Sequence, residues 1–136
     1  MRRLICIFVS TAILITLLSM PVFASANDEI QPRYTYILGF AVDITIDASS
    51  EEATCYSMIR SRSGSVKLVC QLQRKVNAQW ITIKSWTATG DGIAVINKNQ
   101  AISTGQEYRV LAFGYVYDSN NNLLEAENAS KVCSNN

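Results

Sequence analysis

The sequence predicts an all-β fold, an antiparallel β-sandwich of about seven short strands. Two observations carry this prediction. Apolar and polar residues alternate along much of the chain, most clearly on both sides of a short polar break within 66–86, and such alternation is typical of strands with one buried face. Clusters of Ser, Asn, Asp and Gly interrupt the alternation at roughly even spacing, and no segment after residue 26 keeps a helical period.

The first 26 residues have the pattern of a signal peptide. Arg2 and Arg3 provide a basic start, the run 4–18 is apolar, and Ala24-Ser25-Ala26 forms an A-x-A cleavage motif. The apolar run is short for a membrane span, and no second apolar stretch of about 18 residues follows it. We therefore expect a helical signal peptide over 1–26, no stable membrane insertion after its cleavage, and one secreted domain over 27–136.

Length and charge narrow the classes of function. The 136-residue chain keeps about 110 residues after cleavage, enough for one hydrophobic core. Loss of Arg2 and Arg3 takes the formal charge from +1 to −1, and the remaining basic residues are scattered among acidic ones. Nucleic acids and anionic membranes usually require a clustered basic face, so we expect neither as a partner.

The first strand is predicted over 35–47. Asp43, Thr45 and Asp47 are polar whereas every even-numbered residue is apolar, so one face of the strand should be buried and the other hydrated. The apolar row consists of Tyr36, Leu38, Phe40, Val42, Ile44 and Ile46. The next predicted elements are a turn at 48–51, a second strand over 52–60 and a polar turn at 61–64.

The third and fourth strands are predicted to form a hairpin around a short polar turn. We set Lys75 opposite Trp80 across this turn and count outward one residue at a time on each strand. This register places Leu72 opposite Ile83. In this register Ile81 and Ile83 point toward the core. The side chains that point outward from the fourth strand are Trp80, Thr82, Lys84 and Trp86.

Three further strands complete the prediction, over 93–97, 105–117 and 123–133. Glycines mark the loop before the first of them, and Asn residues mark the turn before the last, since Asn tolerates the left-handed backbone of tight turns. If Tyr108 faces the core, then Phe113 and Tyr115 face outward. A three-residue loop before the last strand would place Glu125 opposite Tyr115 and Glu127 opposite Phe113.

The segment from Tyr108 to Ala112 resembles the Tyr-x-Val-x-Val/Ala strand of fibronectin type III and other immunoglobulin-like domains. In those domains the tyrosine ties a corner between strands. The resemblance implies an immunoglobulin/fibronectin-III-like sandwich. It also implies that the hairpin of the third and fourth strands lies in one sheet with the Tyr108 strand.

A wider resemblance is to small exported proteins of clostridial and related Gram-positive bacteria, a family of unknown function. The segments that carry it are 32–37, 53–55, 72–75, Trp80-x-x-x-Lys84-x-Trp86, 105–110 and 116–120. The resemblance implies a Gram-positive source, export and an immunoglobulin-like sandwich. It supplies no catalytic residue. Asn121 stands where a glycine would be usual in such a turn, and Asn can serve there.

Three cysteines remain after cleavage: Cys55, Cys70 and Cys133. In an oxidising exterior this odd count allows one disulfide and leaves one thiol. We favour Cys55 with Cys70, because these residues flank the polar break 60–65 and each lies on the apolar side of its strand; Cys55 with Cys133 is the second choice. The chain has no C-x-x-C spacing and no histidine, so we expect no metal site and no cofactor.

We expect no enzyme activity. Serine and cysteine nucleophiles usually depend on a histidine base, and the chain has none. Glycoside hydrolysis requires only two carboxylates, but the acidic residues fall in predicted turns or on hydrated faces, where solvent keeps their pKa values ordinary. The turn 118–122 lacks the glycine and terminal glutamate of a calcium-binding EF-hand loop, and a tight turn explains its composition.

The candidate functional surface is aromatic. The predicted register places five ligand-binding candidates on the outer face of one sheet: Trp80, Lys84, Trp86, Phe113 and Tyr115. Rigid rings flanked by polar groups suit stacking on sugars or docking of a protein, although cross-strand aromatic pairs also simply stabilise sheets.

We therefore expect a secreted, extracellular binding module whose partner is an unknown protein or glycan at or outside the cell surface. One alternative is a dedicated carbohydrate-binding module. Another is a wall-associated structural or disulfide-linked component that uses the unpaired cysteine. The sequence leaves the ligand and the oligomeric state open.

Overall fold

Five antiparallel strands form one curled sheet, a half-barrel. The computed structural model describes residues 34–134, so the predicted signal peptide lies outside the described residues. The strands are β1 (Ile37–Asp47), β2 (Glu52–Val76), β3 (Gln79–Ala101), β4 (Glu107–Tyr117) and β5 (Leu123–Ser134). The order across the sheet is β1-β2-β4-β5, and β3 pairs with the other edge of β2. The all-β, antiparallel prediction is confirmed.

The strand count is five in one sheet, and not the predicted seven of a sandwich, because β2 and β3 each join two predicted strands. The polar segment 61–64 is a bend inside β2, where Gly64 has φ +86° and its α-carbon faces the Tyr117 carbonyl too closely for a side chain. The β2–β3 register shifts at this bend, between Arg60 and Ser65, and pairing continues on both sides. The break in alternation therefore marks a corner and not a chain reversal.

The bend divides the sheet into two arms. The first arm contains β1, residues 52–61 of β2 and residues 93–101 of β3. The second arm contains residues 65–76 of β2, residues 79–91 of β3, β4 and β5. β1 and β4 follow one another along the same edge of β2, whereas β3 accompanies the other edge through both arms.

The hydrophobic core lies between the inner faces of the two arms. Fully buried side chains come from both arms, and they include Cys55, Ile59, Leu68, Cys70, Leu72, Val110 and Val116. Gly114 allows close approach of the arms, since a Cβ atom there would lie 2.6 Å from Cδ1 of Ile59 and 2.6 Å from Cε2 of Phe40. Burial of each large apolar side chain in this core contributes about 1.5–3 kcal/mol.

Two sets of hydrogen bonds from side chains hold the segments that precede β4 and β1. The Tyr108 hydroxyl donates to the Ser103 carbonyl oxygen (3.0 Å) and accepts from the Ser103 N–H (2.9 Å), which holds the loop before β4. At the start of β1, the Glu125 carboxylate accepts from the backbone N–H groups of Tyr36 (2.8 Å) and Ile37 (2.7 Å), which joins β1 to β5.

The β2–β3 hairpin register is correct near the turn and wrong beyond it. The pairs Lys75–Trp80, Arg74–Ile81 and Gln73–Thr82 are as predicted. Leu72 then pairs with Lys84 and not with Ile83, because Ile83 is an extra residue at a β-bulge. A one-residue shift moves later side chains to the opposite face, so Trp86 pairs with the inward-facing Cys70.

Apolar residues near the register shifts in β3 and β1 do not occupy the core positions predicted for them. Ile81 is 47% exposed and Ile83 is 39% exposed at the free edge of β3. In β1 the register shifts between Ile37 and Gly39, so that Ile37 is buried and Leu38 is 52% exposed. Period-two patterns do not show where a single residue is inserted. Each insertion changes which face of the sheet the residues on one side of it point to, relative to the residues on the other side.

The last hairpin is also shifted from the prediction. The turn comprises residues 118–122, where the Asp118 carboxylate accepts from the N–H groups of Asn120 and Asn122, and Asn121 takes φ +64°. Tyr117 pairs with Leu123, as the predicted register requires. The Asn-rich turn is confirmed. Leu124 is then an extra residue at a β-bulge, so Glu125 pairs with Val116 on the inner side and Glu127 pairs with Gly114. These carboxylates are therefore not beside the Tyr115 and Phe113 rings.

Candidate functional site

The outer face of the second arm holds three of the five predicted ligand-binding residues: Trp80, Phe113 and Tyr115. Alternate residues of β4 face this side, and all of them are half-buried. From the start of the strand to its end, they are Glu107, Arg109, Leu111, Phe113, Tyr115 and Tyr117. The strand thus presents a charged segment followed by an apolar and aromatic one. We call this surface the aromatic face.

Trp86 and Lys84 do not belong to the aromatic face, which corrects the prediction. Trp86 is half-buried and packs against the core on the inner side, where it pairs with Cys70. Lys84 is exposed and pairs with the inward-facing Leu72. Both residues follow the bulge at Ile83, and this one extra residue accounts for both errors.

A hydrogen-bonded row of polar side chains occupies the aromatic face near Trp80. Arg109 Nε donates to Gln73 Oε1 at 2.7 Å. Gln73 Nε2 donates in turn to Thr82 Oγ1 at 3.0 Å and to Gln71 Oε1 at 3.2 Å. Gln73 is only 7% exposed, so this amide is both buried and satisfied. The row links three neighbouring strands and holds the Arg109 side chain in one orientation.

The Trp80 ring lies against two cations. The guanidinium carbon of Arg109 is 4.5 Å from the ring centroid, and Lys75 Nζ is 5.6 Å from it. Both distances suit cation–π attraction. Lys75 also forms an ion pair with Glu107 at 3.2 Å, with both side chains well exposed. Exposed pairs of this kind contribute at most about 1 kcal/mol, so the ion pair positions Lys75 more than it stabilises the fold.

Sequence reasoning did not include Arg109 and Gln73 among the site residues. Arg109 was expected to face outward, but its partner Gln73 is 36 residues away in the sequence. Their contact depends on the β2–β4 pairing, in which Gln73 lies opposite Arg109. A signal was present in the alternate polar positions of Gln71 and Gln73, which mark an outward row on β2.

Tyrosine rings occupy the other end of the aromatic face. The Tyr115 and Tyr117 centroids are 6.5 Å apart and their planes are tilted by 33°. Beside Tyr117 is a cavity of about 260 Å³, lined also by Ser65, Val66, Lys67, Thr89 and Asn121. Half-buried rings next to a cavity that carries hydroxyl, ammonium and amide groups offer flat apolar surface together with hydrogen-bonding groups, as sugar rings require.

The three cysteines are free thiols in the structure, so the predicted disulfide is absent among residues 34–134. Cys55 and Cys70 are fully buried on the inner faces of opposite arms, and Cys133 is half-buried. Burial raises the pKa of Cys55 to about 12, with a further rise from the nearby Cys70. Burial also raises the pKa of Cys70, against a smaller lowering by the Ser57 hydroxyl. Neither thiol is therefore a nucleophilic thiolate at neutral pH.

Residues 34–134 contain neither a cluster of metal-ligating side chains nor a membrane-spanning helix. In this part of the chain no group of three or more His, Cys, Asp or Glu side chains is arranged to hold a metal ion. The same residues include no helix long and apolar enough to cross a membrane.

Comparisons with known proteins give no family. No protein-family model matches this chain, and no curated protein sequence matches it. Among solved structures, it has a distant likeness to Spo0M, a sporulation control protein from Bacillus subtilis, with a TM-score of 0.33 and 12% sequence identity. The alignment covers 69% of this chain and 47% of that one, so the chain spans about half the length of Spo0M. A likeness at this level assigns neither family nor function.

Proposed function

We propose that this chain is a secreted, non-enzymatic binding module that acts at or outside the cell surface through its aromatic face. The observation that carries the proposal is the shared outward placement of Trp80, Phe113, Tyr115 and Tyr117 beside an ordered polar row. Aromatic side chains bring large contact area at low entropic cost, and residues of this type often dominate binding energy.

A carbohydrate is the ligand class that this surface suits best. The rings are half-exposed and lie next to amide, hydroxyl and guanidinium groups, a combination that matches the apolar faces and hydroxyl edges of sugars. A protein partner is the alternative, since exposed aromatic patches also serve protein interfaces.

A glycan array with the mature chain tests the proposal. Trp80→Ala and Tyr115→Ala should each weaken binding to the selected glycan about 30-fold, the effect of losing about 2 kcal/mol at a binding hot spot. Tyr56→Ala is the matched control, because Tyr56 is a half-buried aromatic residue on the outer face of the first arm, opposite Asp43 and Asn97. Equal loss in the Tyr56 variant would overturn the assignment of the site.

A blank array would reject the carbohydrate hypothesis and leave the protein hypothesis. A photo-crosslinking amino acid at position 115, compared with one at position 56, then tests contact with proteins on intact Gram-positive cells. Crosslinked partners that are equal at both positions would reject the aromatic face as a binding site.

The wall-associated alternative depends on the cysteines. We propose that the oxidising exterior converts Cys55 and Cys70 to a core disulfide, because both are buried between the arms and Cys70 is near enough to raise the pKa of Cys55. Cys133 would then remain available on β5 for a link to a second chain. Intact mass under non-reducing conditions distinguishes the outcomes. A monomer two hydrogens lighter than the reduced chain supports the core disulfide, and a covalent dimer supports the linked component.

We propose export from a Gram-positive cell on the signal-peptide pattern, and relation to the clostridial secreted family on the shared motifs. The link to immunoglobulin-like domains rests on the Tyr108 tie alone.

A further inference from the structure

The Arg109 guanidinium is ordered but only partly used by the protein. Its Nε donates to Gln73, and its flat face lies on Trp80. The terminal Nη1 and Nη2 atoms donate to no acceptor among residues 34–134, which leaves the planar fork of the half-buried side chain available. The buried Gln73 is itself fixed by two further hydrogen bonds. Arg109 is therefore held in place before any ligand arrives.

The charges around this fork favour an anion. The basic side chains on the aromatic face are Lys67, Lys75 and Arg109. Of the two acidic strand residues on the face, Glu107 is bonded to Lys75, and Asp91 lies at the far end, next to Ser65. An arginine fork binds a planar carboxylate through two parallel hydrogen bonds, a geometry that the ammonium group of lysine cannot reproduce.

The rest of the face favours an extended ligand. Residues along a strand advance by about 3.3 Å, so Tyr115 lies about 20 Å from Arg109 along β4. One sugar cannot contact both positions. A linear polymer that follows β4 can place an acidic group at Arg109 while other units stack on Tyr115 and Tyr117.

We propose that the aromatic face binds an acidic polysaccharide along β4, with Arg109 as the subsite for a sugar carboxylate. This inference rests on the proposed binding function and names its ligand class. Arg109 recognises the charge of the polymer, Lys67 adds attraction beside Tyr115, and the tyrosine rings contact the apolar faces of its sugars.

Polygalacturonate and its fully methyl-esterified form are matched probes, because they share the same sugars and differ in whether the carboxylate is masked. The mature chain should bind polygalacturonate at least about tenfold more tightly than the ester, and this preference should fall as salt increases. Isothermal titration or biolayer interferometry measures both affinities.

Arg109→Gln should weaken polygalacturonate binding about tenfold and reduce the preference over the ester. Arg109→Lys keeps the charge and the packing on Trp80, and it should recover only part of the binding because it lacks the fork. Arg60→Gln is the control, since Arg60 is an exposed arginine on the outer face of the first arm. A thermal melt of each variant shows that the fold persists, and the lysine variant provides the test if the glutamine variant unfolds.

The inference is overturned if the chain binds neither polymer, if it binds both equally, or if the Arg109 and Arg60 variants behave alike. These failures are distinguishable from failure of the proposed function. If Tyr115→Ala still abolishes binding to a neutral glycan, or if a crosslinker at position 115 captures a surface protein that one at position 56 does not, the aromatic face remains a binding surface for a ligand of another class.

Discussion

Glu125 is a single side chain of β5 that joins this edge strand to the start of β1. Its carboxylate accepts hydrogen bonds from three consecutive backbone N–H groups, those of Thr35, Tyr36 and Ile37. Burial raises the pKa of Glu125, but the three backbone donors outweigh that effect, so the pKa lies below its usual value. The folded state therefore stabilises the charged carboxylate.

We predict that Glu125→Gln lowers the free energy of unfolding at pH 7 by about 1–3 kcal/mol, because hydrogen bonds to a charged acceptor are lost. Since the folded-state pKa is lowered, this contribution is fully present above the unfolded-state pKa of about 4.3 and is lost as pH falls through the folded-state value. Urea unfolding of both proteins at pH 7 and pH 3 should show the difference shrinking at pH 3.

The matched control is Glu52→Gln, because the Glu52 carboxylate makes no hydrogen bond among residues 34–134. Its effect on stability should stay within about 0.5 kcal/mol at pH 7, as for other surface substitutions. A stability difference for Glu125→Gln that is the same at both pH values would contradict the ionic origin of the tie.

Gly114 provides a second prediction for a single residue. Gly114→Ala should destabilise the protein by about 1–3 kcal/mol, because the new methyl group would lie 2.6 Å from side-chain atoms of both Ile59 and Phe40 in a packed core. Gly39→Ala is the control, since the nearest atom there, Cε of Met58, is at an ordinary 3.9 Å. Differential scanning calorimetry compares the two, and equal melting temperatures would show that the arms are not tightly packed at Gly114.

At the level of elements, the bulge at Ile83 gives the two tryptophans of β3 different roles. Trp80 precedes the bulge and lies on the aromatic face, whereas Trp86 follows it and packs against the core. Trp86→Ala should therefore cost about 2 kcal/mol of stability, a reduced core-truncation effect for a half-buried ring. Trp80→Ala should cost less than about 1 kcal/mol, the order of its cation–π contacts.

Urea unfolding of the two alanine variants measures this contrast. Acrylamide quenching of each single-tryptophan protein, made with Phe at the other position, provides an independent check of exposure. Stronger quenching of Trp86 than of Trp80 would contradict the placement of the bulge.

Much of the fold could be predicted at this scale, because period-two alternation depends only on which face of a strand is buried. The alternation located part of every strand, although residues 87–92, which were predicted to form a loop, belong to β3. The hairpin pairs from Lys75–Trp80 to Gln73–Thr82 are correct. The pattern could not locate the extra residues Leu38, Ile83 and Leu124, since an inserted residue has no distinctive composition. It also could not distinguish the bend at 61–64 from a turn, because both require small polar residues and glycine.

At the scale of the whole molecule, the candidate site was predicted only in part. Phe113 and Tyr115 could be placed on the outer face from the phase of β4 alone, and Trp80 from its position next to the turn. Arg109 and Gln73 meet because β4 pairs with β2, a contact between distant segments that no local pattern specifies. Sequence patterns therefore identified the apolar part of the face and missed its charged end.

Packing of the two arms predicts the reactivity of the thiols. In the fully reduced protein at pH 8, iodoacetamide should label Cys133 well before Cys55, because burial raises the pKa of Cys55 to about 12 and removes it from solvent. Cys70 should also react slowly, since it is equally buried. Peptide mapping after timed labelling measures each rate, and labelling in urea should make the three rates similar. Rapid labelling of Cys55 in the folded protein would show that the arms open readily.

The passage of β2 and β3 through both arms has a consequence for cooperativity. Neither arm is a separate segment of chain, because each contains half of β2 and half of β3. Opening one arm would remove the partner that buries the inner face of the other. The molecule should consequently unfold in a single transition, with amide hydrogens on Cys55 and Cys70 exchanging at the rate of global unfolding. A bend that the sequence marks only with a few serines and a glycine thus makes two half-sheets one thermodynamic unit.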